Sequence, residues 1–193
     1  MTHPKILLRQ ASATIFAALL PCLGGHAQDR CQAFNLETLP KREVRAVWLT
    51  TLSNLDWPKG YATTQEAIER QKRQLTEILD RYAEANINTV LFQARVRATT
   101  TYPSALEPWD RCLTGQEGRA PGYDPLRFAI EECHKRGMEI HAWLATIPCG
   151  PWTSLGCRRL RAKGLRLRKL DGAGYLDPSD ERVAPYLASV CAE

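Results

Sequence analysis

The 193-residue sequence lacks the short motifs that mark two common kinds of site. It has no C-x-x-C pair and no clustered histidine set, with four histidines in all, so a zinc site is not expected. No G-x-G-x-x-G motif follows any of its strand-like runs, which argues against a dinucleotide-binding fold. We therefore predict neither a metal nor a cofactor.

An apolar run long enough to span a bilayer is also missing at the N-terminus. The run from Ala11 to Leu23 is too short, and basic residues precede it, which is typical of a secretory signal. Gly25-His26-Ala27 predicts cleavage after Ala27, and thus a signal peptide over 1–27, a linker over 28–41 and a domain over 42–193. We expect a secreted, periplasmic or cell-surface protein with no transmembrane span after signal removal.

The cysteines are compatible with export. Of seven, Cys22 would leave with the signal, and Pro21 disfavours lipid attachment at Cys22. The six that remain permit disulfides in an oxidising compartment. We expect Cys133 on the core face of a helix, whereas Cys149 and Cys157 flank a loop that they could close.

The formal charge of +5 is concentrated in one segment. Its basic residues are Arg158, Arg159, Arg161, Lys163, Arg166, Arg168 and Lys169. A solvated loop and a groove for an anionic glycan both account for the cluster. Export argues against nucleic acid as the partner.

Hydrophobic patterning predicts three repeats of strand, long loop and helix. The first helix begins near Thr63 and Glu66, which have capping-box spacing, and the second begins at Asp124 and Pro125 and ends at Gly137. The predicted strands are 44–51, 87–94 and 139–146.

Loop lengths favour a (β/α) barrel over an open sheet. The loops after strands have about 12, about 29 and about 33 residues, while those after helices have one or two. Long loops on one face are typical of a TIM barrel, whose sites lie where strands end.

The second predicted strand continues into a loop rich in arginine, aromatic residues and proline. Gln93, Arg95 and Arg97 share one parity, so they form a row of multi-donor side chains suited to hydroxyl or carboxylate oxygens. The alternative is that the arginines are solvated or pair with carboxylates elsewhere in the chain.

Each long loop also carries a tryptophan beside a proline: Trp57-Pro58, Pro108-Trp109 and Pro151-Trp152. A stiffened indole can cover the apolar face of a pyranose ring, although it can equally pack a loop onto the barrel rim. Trp143, like Trp48, lies within a strand as a core or barrel-mouth residue, and His141 is more typical of a barrel interior than of a general base. The candidate substrate-binding residues are Gln93, Arg95, Arg97, Trp57, Trp109, Trp143 and His141.

Taken together, four segments resemble the glycosyl hydrolase-like 10 family of bacterial (β/α)8-barrel proteins: Glu43–Pro58, Val90–Trp109, Gly122–Leu144 and Gly174–Val183. The resemblance implies a secreted or surface glycoside hydrolase that acts on a bacterial or dietary polysaccharide. Some relatives are associated with peptidoglycan glycan strands. It also implies a fourth strand whose acidic residues are the best candidates for catalysis.

We expect the chain to contain the first three βα units of a truncated TIM barrel. A third helix would turn Val183, Leu187 and Val190 inward, starting late near Val183 or kinking at Pro185, and no fourth strand follows it. Hydrolysis normally needs two carboxyl groups, and no such pair can be assembled from Glu43, Asp56, Glu107, Asp110, Asp171 and Asp177.

The catalytic residues are therefore unknown, and we expect the isolated chain to be inactive without a complementary half-barrel. Two alternatives remain open from the sequence. One is a non-catalytic glycan-binding module. The other is a structural envelope protein held together by disulfides.

Overall fold

The computed structural model describes residues 43–193, of which Val44–Glu193 form one unit. The predicted signal peptide, the linker and Cys22 lie outside the described residues. The strands are β1 (Ala46–Leu49), β2 (Thr89–Arg95), β3 (Glu139–Leu144), β4 (Pro148–Pro151), β5 (Leu167–Leu170) and β6 (Ala173–Leu176). The helices are α1 (Gln65–Glu84), α2 (Arg111–Thr114), α3 (Pro125–Lys135), α4 (Leu155–Ala162) and α5 (Val183–Ala192), with a 3-10 turn at Leu52–Asn54.

The three predicted strands form one parallel sheet in the order β1-β2-β3. Leu49 pairs with Phe92, and Phe92 pairs with Ala142, so the strands start and end at similar levels. Because β2 lies in the centre, nearly all its residues are buried, as its apolar run predicts. The mixed α/β class expected from the sequence is confirmed.

The helix boundaries follow from local capping. Thr64, rather than the predicted Thr63, caps α1 by accepting a hydrogen bond from the Ala67 N–H. Asp124 caps α3 as predicted, and Gly137 follows that helix with φ of +68°. The α5 helix begins at Val183, so the expectation of a late start is confirmed.

The main core lies between one face of the sheet and the first two long helices. Leu49, Val90 and Phe92 of the sheet pack against Leu75 and Leu79 of α1, all almost completely buried. Burial of each such side chain contributes about 2 kcal/mol. This core fixes the position of the strand ends.

The segment between β3 and α5 is not the irregular loop that the sequence suggests. It contains a second, antiparallel sheet in the order β4-β6-β5, with α4 beside it. A second core of Cys157, Leu160, Leu176 and Val183 lies beneath these elements. The strands are four residues long and β5 is largely exposed, so their hydrophobic pattern is too weak to stand out.

The other face of the parallel sheet is open. The Trp48 side chain, on this face, is 57% exposed, and its ring meets that of Trp143 edge to face with centroids 4.8 Å apart. Within the described residues, β1 and β3 each pair with β2 alone. The sheet therefore has two free edges and an aromatic face without a covering layer from residues 43–193.

The described cysteines are all free thiols, and Cys133 lies in the core as predicted. Cys149 and Cys157 are buried close together but are not bonded to each other. Burial raises the pKa of Cys133 to about 11 and that of Cys149 to about 12. Neither thiol is ionised at neutral pH.

We therefore expect iodoacetamide to modify exposed Cys191 in the native protein and to modify Cys149 and Cys133 about 100-fold more slowly, because they are buried and protonated. Peptide mapping by mass spectrometry, before and after unfolding in guanidinium, measures these rates. Recovery of a peptide linking Cys149 to Cys157 would contradict the free-thiol arrangement and favour the disulfide-stapled alternative.

Candidate functional site

A cavity of about 490 Å³ lies at the carboxyl ends of β2 and β3, with the antiparallel sheet as its opposite wall. Gln93, Arg97 and Trp143 line it from the parallel sheet and the loop after β2. Asp171 and Tyr175 line it from the β5–β6 hairpin. The cavity therefore combines hydrogen-bond donors, two aromatic rings and a carboxylate.

Gln93 connects the cavity to the loop after β1. Its Oε1 accepts hydrogen bonds from the backbone N–H groups of Thr51 and Leu52, at 2.9 and 3.0 Å, and from the Thr50 hydroxyl at 2.7 Å. The Gln93 Nε2 group donates to no acceptor within residues 43–193. It is thus a fixed donor available to an oxygen in the cavity.

Arg97 is the exposed member of the predicted arginine row. It lines this cavity and a neighbouring one of about 540 Å³, and its guanidinium has no hydrogen bond or ion pair in the described part of the chain. Gly150 lies against it with φ of +79°, and a Cβ there would be 3.4 Å from the Arg97 Cβ. The five donors of Arg97 remain open to a ligand.

Arg95 has a different environment, because it is completely buried. Its Nε and Nη2 donate to the Glu107 carboxylate at 2.8 and 2.7 Å, and its Nη1 donates to the carbonyl oxygens of Ala145 and Thr146. The Tyr186 hydroxyl donates to the same carboxylate at 2.9 Å. Arg95 thus pairs with a carboxylate of this chain, the alternative left open by the sequence, and joins the loops after β2 and β3 to α5.

The predicted aromatic platforms do not form one surface. Trp57 is completely buried, and its indole N–H donates to the Gln71 carbonyl at 2.8 Å. Trp109 is half-buried against the main core, and neither ring lines this cavity or the neighbouring one of about 540 Å³. Of the candidate tryptophans, Trp143 alone contributes to the cavity at the strand ends.

His141 also lies apart from the cavity. Its side chain is 61% exposed on the open sheet face, with Nε2 3.6 Å from the Glu139 carboxylate. Of the seven candidate substrate-binding residues, the structure therefore brings together Gln93, Arg97 and Trp143 around one cavity.

Asp171 is the only carboxylate among the described residues that line the first cavity. The two acids of the neighbouring cavity have structural partners. Asp110 accepts hydrogen bonds from the Cys112 N–H and the Thr99 hydroxyl, and Glu117 accepts from the N–H groups that begin α4. Among residues 43–193, no group of three or more His, Cys, Asp or Glu side chains is arranged to hold a metal ion.

Residues 43–151, more than half of the chain, match the glycosyl hydrolase-like 10 family. The chain belongs to this family. In this glycosyl hydrolase-like 10 protein, Gln93, Arg97 and Trp143 lie within the matched residues, whereas Asp171 and Tyr175 lie beyond them.

Two curated relatives give the extent of the likeness. Glycosyl hydrolase YngK of Bacillus subtilis (strain 168) is 44% identical over 102 residues, which are 53% of this chain and 19% of the relative. Glycosyl hydrolase DigH of Escherichia coli (strain K12) is 40% identical over 104 residues, which are 52% of this chain and 24% of the relative. The similarity thus spans about a fifth of one relative's length and about a quarter of the other's.

Sequence reasoning missed the contribution of the β5–β6 hairpin to the cavity. A signal was present, because Asp171-Gly172 is a hairpin dipeptide that requires positive φ at both positions, here +48° and +77°. The hairpin places Tyr175 opposite Arg168 and turns Asp171 into the cavity wall. No helix of the described part is both long and apolar enough to cross a membrane.

Proposed function

We propose that this chain forms one wall of the glycan-binding site of a glycoside hydrolase that acts on a bacterial or dietary polysaccharide. The observation that carries the proposal is the cavity in which Gln93 and Arg97 present unused donors beside the Trp143 ring. Fixed donors next to an aromatic ring suit sugar hydroxyl and carboxylate oxygens together with the apolar face of a pyranose.

Hydrolysis of the bound glycan requires more than this wall provides. Glycoside hydrolases use two carboxyl groups about 5 to 9.5 Å apart on either side of the scissile bond. Asp171 is the single carboxylate among the described residues that line the cavity. This favours binding without turnover by the chain alone, which is also the behaviour of a non-catalytic glycan-binding module.

We further propose that the parallel sheet is the first three βα units of a (β/α)8 barrel. The free edges of β1 and β3 and the uncovered Trp48 face support this, because additional parallel strands would cover both. Further βα units, in this protein or in a partner chain, would then supply the second carboxylate. The signal-like sequence at 1–27 supports a secreted, periplasmic or cell-surface location.

The experiment measures binding and product release together. The purified chain is incubated with peptidoglycan glycan strands and with a neutral polysaccharide; we expect binding to at least one of them and no reducing ends formed. We expect Arg97→Ala to weaken binding about tenfold, since it removes a charged hydrogen-bond donor. Arg73→Ala, an exposed change on α1, is the matched control.

Three results would count against the proposal. Sustained turnover by the chain would show that its own residues complete a catalytic pair. Failure to bind either polysaccharide would remove the glycan-binding role. Equal affinity of the Arg97→Ala and Arg73→Ala variants would show that the glycan does not bind in the cavity.

A further inference from the structure

The basic segment carries five cations that no carboxylate of residues 43–193 neutralises. Residues 155–170 contain no acidic residue. Arg166 and Arg168 lie 3.8 and 3.0 Å from Asp177. The other five have no carboxylate within 4.0 Å in the described part of the chain: Arg158, Arg159, Arg161, Lys163 and Lys169.

Two of these cations lie at the ring of Trp152. The Arg161 guanidinium lies over the Trp152 ring, 4.2 Å from its centroid, and Arg161 Nη1 donates to the Trp152 carbonyl at 2.9 Å. The Lys169 ammonium lies 5.9 Å from the same ring centroid. Arg158 is exposed three residues before Arg161 on α4, so its side chain lies on the same side of the helix. The indole therefore attracts two cations to its ring, and Arg158 projects from the same side of α4 as Arg161.

This basic surface, defined by Arg158, Arg161, Lys169 and Trp152, meets the cavity at the turn of the β5–β6 hairpin. The backbone N–H of Trp152 donates to the Gly172 carbonyl at 2.8 Å, and Gly172 lines the cavity. A Cβ on Gly174 would lie 2.6 Å from the buried Cys157 Sγ and 3.5 Å from the Trp152 ring, so the ring packs on the face of β6 that meets the second core. The next residue, Tyr175, instead lines the cavity. A chain molecule that leaves the cavity would therefore reach the cations around the β5–β6 turn, beside Gly172.

We propose that the basic surface is a binding site for a glycan that carries repeating anionic groups, either carboxylates or phosphodiesters. Like charges held together without counter-charges destabilise a fold, and a polyanion would relieve that repulsion. Arginine matches the geometry of both anions, and the half-buried Trp152 ring offers contact to a sugar. The surface lies outside the family match at 43–151, so the match does not assign it.

This inference rests on the proposed function, because it extends the glycan from the cavity around the β5–β6 turn. Its contribution should be electrostatic and therefore sensitive to salt, whereas contacts in the cavity should be much less so. The two contributions can be separated with charged and neutral polymers.

The test measures dissociation constants of the full chain for polygalacturonate, poly(glycerol phosphate) and neutral dextran, at low and at physiological salt. The variant is the double substitution Arg158→Gln and Lys169→Gln. The matched control is Arg70→Gln and Arg73→Gln on α1, which removes the same charge from exposed positions. We expect the first pair to weaken polyanion binding about tenfold and the control pair to change it less than about twofold.

Tighter binding of polygalacturonate than of poly(glycerol phosphate) would identify carboxylates as the source of the anion, and the reverse order would identify phosphodiesters. Equal losses in both variants, or tighter binding of a DNA single strand of the same charge than of either glycan, would overturn the inference. If dextran binds and neither polyanion binds more tightly, the basic surface fails while the proposed function stands. If no polymer binds, the inference fails, and binding of peptidoglycan glycan strands decides the proposed function separately.

Discussion

Replacing Arg95 by methionine should lower the free energy of unfolding by about 3 to 5 kcal/mol, one of the two largest effects we expect from one substitution. The side chains of Arg95 and Glu107 are 0% and 1% exposed. Without the guanidinium, Glu107 would keep a buried charge with no cation, and the carbonyls of Ala145 and Thr146 would lose their donor. Urea denaturation followed by tryptophan fluorescence measures the change.

The control for this substitution is an exposed ion pair of the same chemistry. Arg127 pairs with Glu131 at 3.1 Å, with side chains 76% and 52% exposed, so Arg127→Met should cost less than about 1 kcal/mol. Replacing Arg95 and Glu107 together, by methionine and leucine, should cost less than the sum of the single changes, because no charge remains buried. If Arg95→Met is as mild as Arg127→Met, the ion pair does not hold the loops together.

Trp57→Ala should destabilise the protein by about 3 to 5 kcal/mol, because it opens a cavity in the main core. The ring is completely buried, lies 6.0 Å from that of Phe92 and donates its N–H to the Gln71 carbonyl. Gln71 in turn donates to the carbonyl oxygens of Gly60 and Leu113. The loss of packing at Trp57 should therefore also destabilise the loops that contain Gly60 and Leu113. The midpoint of urea unfolding reports the effect.

Two further substitutions separate packing from hydrogen bonding at this position. Trp57→Phe keeps much of the aromatic ring and loses the indole N–H. Its stability to unfolding should therefore lie between that of the wild type and that of Trp57→Ala. Trp48→Ala removes an equally large ring that is 57% exposed and should cost about 1 kcal/mol. Equal losses at Trp48 and Trp57 would contradict the burial of Trp57.

The arginine row shows where sequence parity fails. Alternation along β2 predicts that Gln93, Arg95 and Arg97 project to the same side. The pairing of β2 with β3 is irregular at this point, because Gln93 pairs with Trp143 and Arg95 with the next residue, Leu144. A bulge of this kind changes the side-chain direction beyond it. Arg95 therefore enters the interior, while Arg97 reaches the cavity.

The tryptophan-proline pairs did not predict which surface each indole ring contacts. The motif predicts a stiff aromatic side chain in each long loop. Which surface that ring meets depends on elements distant in the chain. Trp57 meets α1, Trp109 meets the main core, and Trp152 meets Arg161 and Lys169. The neighbouring proline restricts the tryptophan through local geometry, whereas the burial of its ring depends on distant elements.

The amino-acid sequence by itself determined the family. It also determined the three parallel strands and the helices that follow them, because apolar periodicity and helix caps act over a few residues. Only the tertiary structure decided which polar groups remain open to a ligand. Glu107 reaches Arg95 from 12 residues away, and Tyr186 reaches Glu107 from 79 residues away. Such partners, and the cavity wall supplied by the β5–β6 hairpin, exist only after distant segments have packed together.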